Sequence, residues 1–173
     1  AAVETAKIDI VAGGTVTSPR GFRAGATAAG IKKKAVPALD LGILFSEVPC
    51  VTAGVLTTSR IRSAPVILCK ERLSRGRAVA IVVNSGCANA YTGEQGLTDA
   101  NEMADSAALA LGSDPKDVFV ASTGVTGQPL PIGLIKTGIR QIALSAEGGH
   151  ELARAIMTTD TVPKETAVVV RTG

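Results

Sequence analysis

Short uninterrupted apolar runs alternate along this chain with stretches in which apolar residues recur every three or four positions. Ala78 to Val83 is a six-residue apolar run, the length of a strand covered on both faces. Val118 to Ala121 is a second such run, and it stops at Ser122-Thr123-Gly124. Leu39 to Phe45 and Val51 to Leu56, bounded by Pro37, Pro49 and Thr57-Thr58, predict two neighbouring strands, and Ala167 to Val170 predicts a last one. Helical spacing takes over between them. Ser63 to Leu73 predicts a helix with Ser63 as N-cap and Pro65 in its first turn. Leu97, Ala100, Met103, Ala104, Ala107 and Leu111 form one apolar face, with Gly112 as the stop. Asp99, Glu102 and Asp105 fall off that face and are expected in solvent. Ile132, Ile135, Ile139 and Ile142 form a stripe after Pro131, and Leu152, Ala155 and Ile156 mark a short helix beginning near Gly149. The stretch before Lys34 is rich in Gly, Ala and Thr, with a turn at Ser18 to Phe22. The whole reads as one α/β domain over residues 1–173, with neither repeat nor linker; the pattern leaves open whether its sheet is parallel or mixed.

Composition narrows this picture. Hydrophobic residues make up 46% of the 173 and aromatics 2%, so the core is aliphatic, built from Val, Ile, Leu and Ala. Eighteen Lys and Arg against fifteen Asp and Glu leave +3. The charges are dispersed except for Lys32-Lys33-Lys34, expected to be a solvated loop. Nucleic-acid binding is disfavoured, because stacking aromatics are nearly absent and no long basic stripe appears. No apolar stretch approaches the roughly 20 residues that span a bilayer. Cys50, Cys69 and Cys87 are odd in number and lack CxxC spacing, and there is a single histidine, so neither a disulfide framework nor a metal site is indicated. The expected setting is reducing and cytoplasmic, or an organelle if a transit segment has been removed ahead of Ala1.

Several places could carry chemistry. A buried strand ending in Ser122-Thr123-Gly124 brings hydroxyls and an approachable backbone N–H to the end of a sheet, where an anion or oxyanion can be held. The same residue types also make ordinary turns. The Ala78 to Val83 run likewise opens into Asn84-Ser85-Gly86-Cys87-Ala88-Asn89, a loop dense in amides and hydroxyls. Gly25 to Lys32 comes close to a phosphate loop but lacks the Gly-Lys-Ser/Thr ending, which weakens a nucleotide- or small-ligand-binding module. Cys87 is the best thiol nucleophile and would have to pair with His150, an alternative cysteine-enzyme reading. Thr158-Thr159-Asp160-Thr161 sets poor helix formers and an acid at a helix C-terminus, a break with local rules that suits either a substrate-contacting turn or a plain capping turn. Anion-holding groups are thus present without a convincing nucleophile–base pair, as in half of a site.

Six motifs in one order carry a resemblance: Gly21-Phe22-Arg23-Ala24, Ala53 to Thr58, Ala64-Pro65-Val66, Asn84 to Ala90 followed by Thr92-Gly93, Ala121 to Gly127, and Ala155 to Lys164. From Ser18 to Lys164 the chain resembles the α chain of the ornithine acetyltransferase family, the bifunctional ArgJ proteins of arginine biosynthesis. The resemblance implies an α/β (α+β) layered sandwich of sheets between helices, of the DmpA/ArgJ kind, completed by a β chain. It also implies a precursor that cuts itself at an Ala-Thr bond. The freed β-chain threonine then takes the acetyl group from N-acetylornithine and passes it to glutamate in a ping-pong reaction, as in N-terminal nucleophile enzymes.

By the same resemblance, the oxyanion hole falls on the Thr123 hydroxyl and the Gly124 N–H, and the substrate-contacting threonine on Thr158, with Thr159 next to it as the fallback. The partner implied is the β chain, in an α2β2 assembly. No cofactor or metal is implied, and acetyl-CoA enters only as a co-substrate of some members. The sequence stops at Gly173, before the Lys-Gly motif and the Ala-Thr bond at which these α chains end. The nucleophile is therefore expected on another chain.

Overall fold

The computed structural model describes residues 7–33 and 38–171. Lys34 of the lysine triplet and the Pro37 boundary lie outside the described residues. A four-stranded sheet forms the centre, in the order β2 (Phe22–Thr27), β3 (Leu41–Val51), β4 (Arg77–Cys87) and β5 (Val118–Val125). The first two pairings are antiparallel and β4–β5 is parallel, so the sheet is mixed. A separate ribbon pairs β1 (Lys7–Ile10) with β6 (Val168–Arg171). Helices α1 (Ala64–Leu73), α2 (Gly93–Leu111) and α3 (Ile132–Ile139) follow the periodicity closely, and α4 (Gly149–Ala155) is one short piece.

The two faces of the sheet are covered unequally. Alternation along the strands sends Leu41, Ile43, Ala80, Val82, Val118 and Val120 to one face, where they meet Leu68 of α1, Met103 and Ala104 of α2, and Ile135 and Ile139 of α3 in a single core. The small residues Ala100, Ala104, Ala107 and Ala108 let α2 lie close to the sheet. The opposite face carries Phe22, Leu44, Val79, Ile81, Phe119 and Ala121 and is lined into an apolar groove of about 390 Å³. Helix α4 packs over β2 and β3 on this side, while residues 52–56 and Cys69 and Leu73 of α1 border the groove. Ile81 consequently remains 42% exposed, so the strand predicted to be covered on both faces is sealed by this chain on one.

Other departures have equally local causes. Of the two strands expected on either side of Pro49, the first runs on through it as β3 to Val51, because Pro49 sits where the pairing with β4 breaks register between Phe45 and Cys50. A bulge tolerates the missing N–H. Residues 52–56 do not form a strand. Strand β2 lies in the Gly/Ala/Thr-rich segment whose composition obscures it, and β1, with four residues, is too short a run to stand out. Asp99, expected in solvent, is 3% exposed and accepts a hydrogen bond from Gln95 Nε2 one turn earlier. Lys32 is half-buried rather than solvated, and its Nζ donates to the Leu39 carbonyl at 2.9 Å.

The start of β5 is held from several directions. Asp117 is buried and forms ion pairs with Arg75 at 3.2 Å and Arg77 at 2.7 Å. The buried Arg72 guanidinium donates to the Val118 carbonyl, and its pKa is lowered chiefly because burial penalises the cation. Met103 has no exposed surface and fills the space between α2 and the sheet. Met103→Ala is expected to lower unfolding stability by about 2–5 kcal/mol, read as a reduced urea midpoint with an unchanged m-value; an unshifted midpoint would place Met103 outside the cooperative core.

Candidate active site

The site lies where the parallel strands β4 and β5 end side by side. Their register pairs Asn84 with Ser122, Ser85 with Thr123 and Gly86 with Gly124. Strand alternation turns Asn84 and Ser122 toward the helical core. There Asn84 Nδ2 donates to the Cys87 carbonyl at 2.9 Å, while Asn84 Oδ1 and Ser122 Oγ make no hydrogen bond among the described residues. Ser85 and Thr123 turn the other way, toward α4. Gly86 and Gly124 have φ of +106° and +127°. A Cβ on Gly124 would overlap the backbone of Gly86 and Cys87. Glycine at 124 is therefore required twice, by conformation and by the close approach of the two strands.

A cavity of about 440 Å³ opens beside this pair and is lined by Lys32, Gly86, Thr123, Gly124, Val125, Thr158 and Thr159. The structure thus brings Thr123, Gly124, Thr158 and the fallback Thr159 into one place from segments more than 30 residues apart. Thr158 also lines a second cavity of about 540 Å³ with Lys32, Arg154, Met157 and Asp160. Chemically the wall offers a hydroxyl, a backbone free of side-chain cover and a cation, a set that suits an anion or a developing oxyanion.

The threonine cluster is not helical. Helix α4 ends at Ala155, and Thr158 lies beyond its C-cap. The turn is tied by Asp160, whose carboxylate accepts the Thr158 N–H at 3.1 Å and an ion pair from Lys164. Both contacts hold the Asp160 carboxyl below its usual range, the Lys164 hydrogen bond most strongly. Placing an acid after the helix rather than inside it removes the conflict with the helix dipole.

The Asn84 to Thr92 loop is a scaffold. Asn89 has φ of +47°, and its side chain donates to the Gly96 carbonyl at 2.8 Å while accepting from the Thr92 hydroxyl at 2.8 Å. This brackets the first turn of α2. The asparagine and glycine richness visible in the sequence marks a loop built from its own side chains.

The other candidates separate from the site. Cys87 is buried, with its Sγ 3.5 Å from the Gln128 carbonyl, whereas His150 Nδ1 lies 2.5 Å from Glu165 Oε1. The two share no partner, and no thiolate–imidazole pair forms. Cys69 donates to the Val120 carbonyl and burial raises its pKa, so it is a packing residue. The phosphate-loop likeness at Gly25 to Lys32 dissolves because residues 25–27 belong to β2, and no helix follows in the described residues before β3. No cluster of metal-ligating side chains occurs among the described residues. Lys32 and Ser85 were missed by sequence reasoning; only their placement beside Thr123 and α4 makes them notable.

The model of the ArgJ family matches residues 23–173. The chain belongs to the ArgJ family. Among its relatives are the arginine biosynthesis bifunctional proteins ArgJ of Dehalococcoides mccartyi and Symbiobacterium thermophilum. They are 56% identical over 94% of this chain and 51% identical over 92%, and the chain spans about 40% of the length of each. Two crystal structures share the family fold. ArgJ of Bacillus halodurans gives a TM-score of 0.88 at 38% identity, over 96% of this chain and 93% of that one. The ornithine acetyltransferase of Mycobacterium tuberculosis, complexed with ornithine, gives 0.86 at 36% identity, over 96% and 95%. The layered α/β architecture implied by the motifs is therefore that of the family.

Two outcomes test this geometry. Gly124→Ala is expected to cost about 2 kcal/mol or more of stability, because the new Cβ meets strand backbone at a positive φ; an unchanged melting temperature would refute the close approach. Asp160 is a group whose folded pKa is depressed, so the tie it provides is present above the ordinary Asp value of about 3.9 and is lost as pH falls through the lower folded value. The Thr158 amide proton shift should titrate with a midpoint below that of a model Asp, and a midpoint at or above it would dismiss the tie.

Proposed function

We propose that this chain is the α subunit of an acetyltransferase that moves an acetyl group from N-acetylornithine to glutamate in arginine biosynthesis. The observation that carries the reading is the meeting of Thr123, Gly124 and Thr158 in one cavity of an ArgJ-family chain. A threonine at the start of a β chain, released by self-cleavage of a common precursor, is the nucleophile. Its hydroxyl oxygen attacks the acetyl carbonyl carbon, and the carbonyl oxygen becomes an oxyanion facing the Thr123 hydroxyl and the Gly124 N–H. Collapse breaks the C–N bond, and the departing amine of ornithine takes up a proton. The amine of glutamate then attacks the acetyl-threonine ester, loses a proton, and leaves as N-acetylglutamate with the threonine restored. Both half-reactions pass through the same oxyanion position, so one pair of donors serves both. Thr158 contacts the bound amino acid. No cofactor takes part; acetyl-CoA would enter only as an alternative donor.

Two features support a second chain. The relatives extend well beyond the matched segment, whereas the solved chains from B. halodurans and M. tuberculosis are nearly coextensive with it. The apolar face around Leu44, Ile81 and Phe119 is left as an open groove among the described residues, and it suits the sheet of a β subunit. An α2β2 enzyme acting in the cytoplasm is the assembly proposed. That the M. tuberculosis relative was crystallised with ornithine supports the substrate class.

Thr123→Val in the full precursor removes a hydroxyl donor at nearly constant volume. It is expected to lower kcat for acetyl transfer by about 10²–10³ with folding preserved. Undiminished turnover would remove Thr123 from the mechanism.

A further inference from the structure

The two walls of the cavity come from different parts of the chain, and one backbone oxygen joins them. The Ala155 carbonyl closes α4, where helix carbonyls lack intrahelical donors. Ser85, fully buried, donates its hydroxyl to this oxygen, and Lys32 Nζ approaches the same oxygen at 3.4 Å. Ser85 is the register partner of Thr123, and Ala155 precedes Thr158 by three residues. The oxyanion wall is thus linked to the substrate wall through the Ser85 hydroxyl. Lys32 is fixed in turn: the fully buried Asp40 carboxylate accepts the backbone N–H of Lys32 at 2.9 Å and that of Ala29 at 2.7 Å, while Lys32 Nζ donates to Leu39 at 2.9 Å.

We propose that Ser85, supported by Lys32, is a positioning residue that sets Thr158 at a fixed distance from Thr123 through the Ala155 carbonyl. The proposal rests on the substrate role given to Thr158 above. A buried hydroxyl satisfied by a helix-terminal carbonyl is rigid, because neither partner can turn to water without leaving a buried polar group unpaired. Residues 156–159 have no regular secondary structure of their own to hold them, so their placement depends on where α4 ends. A displacement of about 1 Å at a substrate contact is enough to lose much of the benefit of orientation. The same arrangement explains why a serine stands fully buried at the end of an aliphatic strand, where Val or Ala would continue the pattern of β4.

The test is a double-mutant cycle on the matured full-length enzyme, with N-acetylornithine and glutamate as substrates. Ser85→Ala is expected to raise KM for N-acetylornithine about ten-fold, the effect of one lost hydrogen bond, with a smaller change in kcat. In a Thr158→Ala background the same substitution should change KM less than about two-fold, because residues acting through one contact are not additive. Ser85→Thr, which keeps the hydroxyl, should restore coupling. If the effects of Ser85→Ala and Thr158→Ala multiply, or if Ser85→Ala lowers only the melting temperature, the positioning role is overturned while Thr158 keeps its own. If Thr158→Ala alone leaves KM and turnover unchanged, the substrate role of Thr158 fails, and this proposal with it. Should Ser85→Ala not fold, Lys32→Met enters the same cycle, with a KM rise of about three-fold expected and the same loss of effect beside Thr158→Ala; a multiplicative effect there counts against the proposal equally.

Discussion

The approach of Gly86 to Gly124 across the parallel β4–β5 ladder is the constraint on which the site depends, since it puts the β4 backbone where a Cβ on residue 124 would intrude. Parallel pairing requires a long crossover, which α2 supplies, packing its alanine-rich face against the helical side of the sheet. The crossover returns the chain to β5 through Asp117, whose two arginine partners and the neighbouring Arg72 fix the first residues of that strand. From there register alone carries Thr123 to its position beside Ser85. Conformation at the strand ends is thus set by contacts made at the strand beginnings, about 15 Å or more away at a rise near 3.3 Å per residue.

Unequal cover of the sheet gives the site its character. One face is sealed by three helices and holds the core; the other is met by the short helix α4 and bordered by residues 52–56. At the end of that open face the polar groups Ser85, Thr123 and Thr158 replace aliphatic side chains, and α4 terminates among them. An apolar surface running into a polar pocket is the shape expected of a layer that another chain completes, and the proposed β subunit would bring its nucleophile into this corner. The missing nucleophile–base pair and the uncovered sheet face are then one fact seen twice. On the proposed assembly, both would be completed by the β subunit.

Much of this was legible along the chain. Helices α1, α2 and α3 follow from periodicity because each buries one well-defined face, strands β4 and β5 are marked by uninterrupted apolar runs, and Gly112 ends α2 in the left-handed conformation that its position after Leu111 implied. Six motifs in order identified the family, and the same motifs named Thr123, Gly124 and Thr158, which the fold then brought to one cavity. Strand β2 escaped because Gly, Ala and Thr do not alternate strongly enough to signal a face, and β1 because its four residues, Lys7 to Ile10, are too short a run to stand out. Asp99 escaped because a helix buried on a broad face includes positions that a single stripe leaves out.

The sequence by itself determined the aliphatic core of an α/β domain, the small residues at the end of β5, and the family. Those are properties of local composition and order, and they survive without knowing any contact. Tertiary structure alone decided that Gly86 faces Gly124, that Lys32 leaves solvent to approach the Ala155 carbonyl, and that Ser85 reaches the same oxygen across 70 residues of chain. Hydrogen bonds between distant segments depend on register and crossover geometry, and neither is encoded in the spacing of any one stretch.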